Sequence, residues 1–326
     1  MKAIVLEKYG EPEDLKIKDV DTPKPKGNEV LVKIHATAIN DYDLSIVRGK
    51  PLMYRLLYGI RKPKHPILGM EMSGTVAGLG PEASSFKIGD AVYGDISDYA
   101  FGTFADYVCI NEKGIVKKPD NMTFEEAASL PHAGLLAAQG LIDMGGIQNG
   151  QKILINGAGG GVGTLGFQIA KEFDAEVTGV DTGGKLQMMR DIGFDQVIDY
   201  MKDDFTKNGQ QYDLILDTKT NRSTFHYLKS LNPNGKYITV GGNLIRLLQI
   251  VFLKALVSKV YKKKFQILAL KANKGLDYIN KLYDHRKLKS VIDGPHALSD
   301  IPQLLRHFGE GKHQGKIVIS MIPPKT

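Results

Sequence analysis

A loop rich in glycine stands between an apolar run and a segment with helical spacing, within residues 151–171. The apolar run, Ile153–Ile155, is typical of a strand buried on both faces. The segment Thr164–Lys171 has the apolar spacing of a helix. A strand, a glycine turn and a helix in this order place free backbone N–H groups at a helix N-terminus, which favours binding of a pyrophosphate. We expect phosphate contacts from the loop residues Gly157, Gly160, Gly161, Val162 and Gly163.

A carboxylate follows the loop at the spacing expected of a residue that binds the ribose of a dinucleotide. The second apolar strand, Glu176–Val180, ends in Asp181, which lies 18 residues beyond Gly163. An acid about 20 residues after the glycine motif binds the adenosine ribose 2′-hydroxyl in dinucleotide-binding proteins. A plain tight turn would explain a glycine loop alone. The strand, the helix and the acid together predict a dinucleotide site.

The composition is that of an ordinary globular protein, with 42% hydrophobic and 24% charged residues in 326. This length predicts two domains. The single cysteine, Cys109, excludes a disulfide framework and a zinc site of several thiolates. A reducing compartment, no signal peptide and no apolar run of about 18 residues together predict a cytoplasmic protein.

The net charge of +7 suits anionic cofactors, membranes or nucleic acid without choosing among them. Part of the excess lies in a lysine cluster within residues 254–264. No nucleic-acid-binding motif accompanies this cluster. We therefore expect a solvated basic face and no nucleic-acid partner.

The chain divides into three parts by its pattern of elements. Short strands broken by glycine and proline fill the first third and predict a β-barrel. Strands and helices alternate from about residue 126, which predicts a doubly wound parallel sheet. The tail contains two helices and a final strand at Lys316–Ser320, and we expect it to pack on the first part. The predicted domains are residues 1–125, residues 126–270 and a return of the first domain in residues 271–326.

This layout resembles the medium-chain dehydrogenase/reductase superfamily, and within it the zinc-independent quinone oxidoreductase branch. The resemblance covers essentially the whole chain. The stretches that carry it are Ile155–Lys171, Gly179–Tyr200, Gly311–Val318, Asn40–Asp43 and Pro66–Glu71. It implies an α/β fold with a Rossmann domain and a GroES-like β-barrel catalytic domain.

The same resemblance shows a departure from the zinc-dependent relatives. Those relatives place a cysteine near Asn40 and a histidine at the position of Met70 in the run Gly69–Glu71. An amide and a thioether do not replace a thiolate and an imidazole as zinc ligands. We therefore expect no catalytic metal.

Without a metal to polarise a carbonyl, conjugated enones and quinones are better hydride acceptors than unactivated alcohols. The resemblance implies an NAD(P)H-dependent reductase of quinones or α,β-unsaturated carbonyls, with its small-molecule substrate beside the carboxyl ends of the parallel strands. Asn40 is the expected polar group beside nicotinamide and substrate, although it could instead form an Asx-type cap after the strand Leu31–Ala38. The candidate proton donors are Tyr42, Tyr54 and Tyr58, each of which could instead form the wall of the pocket, and Asp43 is a supporting acid. The alternatives are an aldehyde or ketone reductase and a cofactor-binding, membrane-associated protein of low turnover.

The sequence contains opposing signals for the choice between NADH and NADPH. Asp181 would bind two ribose hydroxyls and repel a 2′-phosphate. Lys185 and Tyr200 match positions that relatives use for the 2′-phosphate, and Thr182 belongs to the loop between them. The resemblance favours NADP, and we expect NADPH to be accepted. Further cofactor contacts are expected from Thr218, Val240, Gly241, Gly242, Leu270 and Lys316.

Two further features bear on activity and partners. Leu136 stands where many relatives carry a threonine beside the nicotinamide, and it favours the low-turnover alternative. Residues 243–264 are apolar and then basic. They predict a lid, a contact in the expected homodimer, or a peripheral membrane contact.

Overall fold

The structure, a computed structural model of the chain, describes residues 1–321. It contains two compact units. The first unit comprises Met1–His132, Ala272–Lys274 and the chain from Ile292, and the second comprises Ala133–Lys271 and Gly275–Val291. The first boundary therefore falls at residue 132 where 125 was expected, and the sustained return begins at 292 where 271 was expected.

The strands and helices of the described residues alternate with short turns. The strands are β1 (Lys2–Val5), β2 (Lys16–Asp19), β3 (Glu29–Ala38), β4 (Glu71–Leu79), β5 (Ala91–Asp95), β6 (Tyr107–Asn111), β7 (Val116–Lys117), β8 (Lys152–Asn156), β9 (Glu176–Asp181), β10 (Gln196–Asp199), β11 (Tyr212–Asp217), β12 (Leu231–Thr239), β13 (Lys264–Ile267), β14 (Ile292–His296) and β15 (Lys316–Ser320). The helices are α1 (Asp41–Arg48), α2 (Met53–Tyr58), α3 (Phe124–Ser129), α4 (Pro131–Ala138), α5 (Gly161–Lys171), α6 (Leu186–Asp191), α7 (Thr224–Lys229), α8 (Leu244–Tyr261), α9 (Leu276–Asp284) and α10 (Ile301–Gly309). A π-helical turn, Gln139–Met144, continues α4.

The first unit is built on the long strand β3. The sheet has the order β14-β15-β3-β4-β5-β7, and β6 pairs with the first half of β3. The last three residues of β3 pair antiparallel with β15, with Ala38 opposite Val318. This pairing places the last described strand of the chain beside the start of α1. The packing of the tail on the first domain was the expected arrangement.

Apolar residues on alternating strand positions form the core of the first unit. One cluster includes Val30, Val32 and Ile34 from β3 together with Met72 and Val76 from β4. This period-two pattern follows from side chains that point to opposite faces of a strand. Burial of this face fixes the register of β3 against β4, and so the positions of the residues at the ends of both strands.

The second unit contains a six-stranded parallel sheet in the order β10-β9-β8-β11-β12-β13. The order reverses between β8 and β11, and a doubly wound sheet binds ligands outside the carboxyl ends of the strands at such a point. The glycine loop follows β8 at this position. Ile153, Leu154 and Ile155 are fully buried, as expected for a central strand.

Helix α9 and its flanks explain why the return begins later than expected. Ile279 of α9 packs against Gly134, and Lys287 forms an ion pair with Glu172 at 2.7 Å. Gln168 exchanges two hydrogen bonds with the backbone of Lys289. These contacts attach residues 275–291 to the second unit. The sequence pattern of an isolated amphipathic helix does not reveal which sheet it covers.

Candidate active site

Glycines allow the loop after β8 to turn tightly into α5. Gly157 has a φ of +87°, a conformation that side chains rarely adopt. A Cβ atom on Gly163 would lie 2.5 Å from the carbonyl oxygen of Ala158, so any larger residue would push α5 away from the loop. Gly160 precedes the first residues of α5, Gly161 and Val162. The loop thus has the geometry of a phosphate-binding turn.

The carboxylate of Asp181 lies against this loop. Its Oδ2 accepts the N–H of Gly159 at 2.8 Å and its Oδ1 accepts the N–H of Thr182 at 2.8 Å. The ammonium of Lys185 lies 3.6 Å from Oδ1, and both side chains are buried. Asp181 and Lys185, which gave opposing signals for the choice of cofactor in the sequence, therefore form an ion pair. Tyr200, whose N–H donates to the carbonyl of Asp181, is 43% exposed beside them.

The carboxyl ends of β11 and β12 carry a second group of predicted residues. Thr218 donates from its hydroxyl to the carbonyl of Asn156 at 3.0 Å, and the N–H of Val240 donates to the carbonyl of Asp217. Gly242 has a φ of +125°, and a Cβ atom there would meet the backbone of Lys219. Gly241 follows Val240 with a φ of +153°, and Leu270 lies three residues beyond the end of β13.

A buried polar cluster occupies the first unit at the start of α1. The backbone N–H groups of Asn40 and Gly69 donate to the two carboxylate oxygens of Asp43. The Asn40 amide donates to Glu71 at 2.9 Å and accepts from Lys316 at 2.5 Å, and Lys316 also forms an ion pair with Glu71. Burial raises the pKa of Asp43 to about 7, against the lowering effect of the two N–H donors and of Lys316.

The structure therefore separates the predicted residues into two groups. Asn40 and Asp43 lie together in the first unit, and Lys316, which was expected to contact the cofactor, joins them there. The other expected cofactor contacts, from Gly157 to Leu270, lie in the second unit. Asn40 immediately precedes α1, and its side-chain amide bonds to Glu71 and Lys316.

A histidine and an aspartate form a second polar pair beside this cluster. His132 Nδ1 lies 2.7 Å from Asp95, and the His132 N–H donates to Glu71 at 3.0 Å. Burial alone would raise the pKa of Asp95, but the interactions with His132 and Ser97 together hold it below its usual range. The Tyr42 and His132 rings are nearly perpendicular, with an interplanar angle of 82° and centroids 6.4 Å apart.

Aromatic rings continue from Tyr42 along the first unit. Tyr42 contacts Tyr54 edge to face at 5.8 Å between centroids, and Tyr54 stacks on Tyr58 at 6.0 Å. Tyr58 in turn contacts Phe101 at 5.4 Å. Burial raises the pKa of all three tyrosines, so their hydroxyls remain protonated donors at neutral pH.

Sequence reasoning missed Glu71, Asp95 and His132 as site residues. Glu71 stands in the run Gly69–Glu71, which was considered only for the metal. Asp95 ends β5 and His132 lies 37 residues later, a separation with no motif. Only the fold brings this pair together, so no local signal could have identified it.

Comparisons with known proteins place the chain in a family. Residues 26–120 match the alcohol dehydrogenase GroES-like domain, and residues 192–319 match the zinc-binding dehydrogenase family. The chain is 31% identical to the 2-methylene-furan-3-one reductase of Solanum lycopersicum, over 99% of this chain and 80% of that protein. It is 28% identical to the NADPH-dependent alkenal/one oxidoreductase, chloroplastic, of Arabidopsis thaliana, over 99% and 80%.

A solved structure agrees with these relatives. The quinone oxidoreductase from Coxiella burnetii has a TM-score of 0.85 and 28% sequence identity, over 99% of both chains. The chain belongs to the medium-chain dehydrogenase/reductase superfamily, in the zinc-independent quinone oxidoreductase-like branch. It is an oxidoreductase with a GroES-like domain and a Rossmann sheet, and its family uses a nicotinamide dinucleotide. These predictions from the sequence are confirmed.

The residues at the family's metal position do not fit a catalytic zinc. Asn40 offers an amide oxygen already bound by Lys316, Met70 offers a buried thioether, and Glu71 is paired with the same ammonium. A borderline cation such as zinc requires thiolate, imidazole or free carboxylate ligands. No group of three histidine, cysteine, aspartate or glutamate residues suited to a metal occurs within residues 1–321. Lys316 supplies the positive charge beside Glu71.

Proposed function

We propose that this protein transfers hydride from NAD(P)H to quinones or α,β-unsaturated carbonyls without a catalytic metal. The observation that carries the proposal is the ion pair of Lys316 with Glu71. Both side chains hydrogen-bond to the Asn40 amide, at the position where zinc-dependent relatives bind their metal. The relatives named as alkenal/one and quinone oxidoreductases support the substrate class.

The residues of this chain would bind and orient the reactants. A dinucleotide bound at the loop after β8 supplies the hydride. The Asn40 amide has two N–H groups, and one of them donates to Glu71. The ammonium of Lys316 fixes the other end of the amide, so the second N–H is a preorganised donor for a developing oxyanion.

Reduction of an enone also requires a proton at the carbon beside the carbonyl. Hydride adds two electrons to the β-carbon, and the resulting enolate takes one proton at the α-carbon. Tyr42 is the proposed donor, because its hydroxyl is protonated at neutral pH and its ring lies next to His132, with the ring centroids 6.4 Å apart. His132, held by Asp95 at 2.7 Å, would return the proton to Tyr42 from water.

We also propose that NADPH is accepted. The charge of Asp181 is compensated by Lys185 and by two N–H donors, so its repulsion of a 2′-phosphate is weaker than that of a free carboxylate. Tyr200 lies beside the pair and is accessible to a ligand. Titration of the apoprotein with NADPH and NADH at one ionic strength measures the preference.

Helix α8 is proposed as a peripheral membrane contact. It buries only Ile250 and Val257, while Ile245 and Phe252 are 73% and 79% exposed. Residues 218–276 contain no acid, so the charge around α8 matches an anionic bilayer. None of the helices within residues 1–321 has the length and apolarity needed to cross a membrane. Vesicle cosedimentation of the wild type and Phe252→Glu tests the contact.

A homodimer and a cytoplasmic location are proposed with separate tests. Strand β13 lies at one end of the six-stranded sheet and pairs only with β12 among the described strands, so it leaves an edge for a second copy. Light scattering during gel filtration measures the assembly. Cys109 is a free thiol, which suits a reducing compartment, and cell fractionation tests the location.

The proposed reaction is tested by oxidation of NADPH and NADH against a quinone, an enone and a simple aldehyde. Turnover of the quinone or the enone that persists with a chelator supports the proposal. Turnover of the aldehyde alone would favour the ketone or aldehyde reductase. Leu136 is buried in α4 and cannot donate a hydrogen bond, so cofactor binding without turnover would favour a binding protein.

A further inference from the structure

A second surface of exposed apolar side chains lies in the first unit, at residues 50–64, which we call the α2 surface. Large apolar residues rarely cluster on a monomeric protein without a partner. Five such side chains are between 48% and 69% exposed within nine residues, and they are Leu52, Met53, Leu56, Leu57 and Ile60. The density of these side chains indicates a binding surface.

The charge around the α2 surface has one sign. Residues 44–70 contain six lysines and arginines and no acid. Arg48 is paired with Glu11, and Arg55 lies over the Tyr9 ring. Four exposed cations have no ion-pair partner among residues 1–321, and they are Lys50, Arg61, Lys62 and Lys64. This charge opposes docking of a second copy through the same surface and complements an anionic partner.

The inward side of α2 contacts the proposed catalytic residues. Tyr54 and Tyr58 point into the aromatic series that begins at Tyr42. The Tyr9 hydroxyl donates to the carbonyl of Gly59 at 2.5 Å and anchors the end of the helix. The outward leucines are therefore not needed for the core of the unit. Leu56 and Leu57 are 67% and 58% exposed, whereas Tyr54 and Tyr58 are half-buried.

We propose that the α2 surface docks on a bilayer that contains anionic lipid, and that the substrate is a quinone or enone dissolved in that bilayer. The leucines would enter the boundary between headgroups and acyl chains, and the cations would lie among the headgroups. The substrate part of this proposal rests on the proposed reductase function. The docking part does not, and it is independent of the contact proposed for α8.

The test compares the full-length protein with L56E/L57E, and with I88E as the matched control. Ile88 is also an apolar residue of the first unit and is 66% exposed. Cosedimentation is measured with phosphatidylcholine vesicles with and without phosphatidylglycerol. We expect the wild type and I88E to bind the anionic vesicles alike and L56E/L57E to bind at least about tenfold more weakly. Turnover is measured with a short-chain quinone in water and a long-chain quinone in the vesicles.

The outcomes distinguish the docking proposal from the proposed reductase function. Loss of turnover with the long-chain quinone in L56E/L57E, with the short-chain quinone unaffected, supports the inference. Equal vesicle binding by L56E/L57E and the wild type would overturn it, even if α8 holds both on the membrane. A wild type that dimerises through this surface and ignores vesicles would also overturn it. Vesicle binding without turnover of either quinone would instead reject the proposed function.

Discussion

The ion pair of Lys316 and Glu71 is the residue-scale feature on which the proposed site depends. Both side chains are almost fully buried, and each also bonds to the Asn40 amide. Removal of one partner leaves an uncompensated buried charge, which costs about 3–5 kcal/mol. We predict that Lys316→Met lowers the free energy of unfolding by this amount in urea titrations. The double variant with Glu71→Gln should recover most of the loss, and no recovery would show that the two charges do not act as a pair.

Asp43 gives the stability a predictable pH dependence. An unfolded aspartate ionises near pH 4, whereas the folded carboxyl holds its proton until a pKa of about 7. The folded state therefore binds more protons between these values, and its stability falls as the pH rises. The slope approaches about 1.4 kcal/mol per pH unit. We predict that Asp43→Asn removes this slope in unfolding measurements between about pH 4.5 and 6.5, which lie between the unfolded and the folded pKa of Asp43. The exposed Asp41→Asn serves as control, and equal slopes in both variants would contradict the prediction.

Asp181 and Lys185 determine the predicted cofactor preference. Asp181→Ser removes the carboxylate that pairs with Lys185 and accepts the Gly159 N–H, so less negative charge opposes a phosphate there. We predict that NADPH binding then strengthens relative to NADH by about 1–3 kcal/mol, the scale of one hydrogen bond to a charged group. Lys185→Ala should weaken NADPH more than NADH. Asp191→Ser, which removes an exposed acid at the end of α6, controls for net charge. An unchanged ratio of dissociation constants in Asp181→Ser would show that Asp181 does not discriminate.

At the scale of elements, the sequence predicted the strands better than the helices. The expected runs Ile153–Ile155 and Glu176–Val180 lie within β8 and β9, and β15 has the expected bounds, because apolar runs and alternation reflect burial directly. Helices α1 and α2 were not predicted. Both helices are short. The N-terminus of α1 is stabilised by the hydrogen bond from the Asn40 N–H to the Asp43 carboxylate, which is seen only in the structure. The side chains of Glu71, Asp95 and His132 lie far apart in the chain, so their meeting could not be predicted from local patterns.

Helix α8 offers a direct contrast between its two sides. Ile250 is 1% exposed and packs in the core of the second unit, whereas Phe252 is 79% exposed. We predict that Ile250→Ala lowers the free energy of unfolding by about 2–5 kcal/mol, since it leaves a cavity. Phe252→Ala should change it by less than about 0.5 kcal/mol. Chemical unfolding measures both variants. Equal losses would mean that Phe252 is covered in solution and that α8 does not present a free face.

At the scale of the whole molecule, the positive charge is unevenly distributed. The 59 residues from 218 to 276 contain 12 lysines and arginines and no acid, while the whole chain has a net charge of +7. The rest of the chain therefore has a net charge of 7 − 12 = −5. Association with anionic vesicles should weaken as salt is raised, because the Debye length falls from about 10 Å at 0.1 M to 3 Å at 1 M. Binding that is insensitive to salt would contradict an electrostatic contribution.

The most direct test of the account is the rate of NADPH oxidation by a quinone before and after removal of metal. The protein is treated with a chelator, dialysed, shown by elemental analysis to lack zinc, and assayed again. We predict an unchanged rate, because Lys316 carries the positive charge beside Glu71 and the residues there are not zinc ligands. A rate that disappears on chelation and returns with added zinc would contradict the central claim.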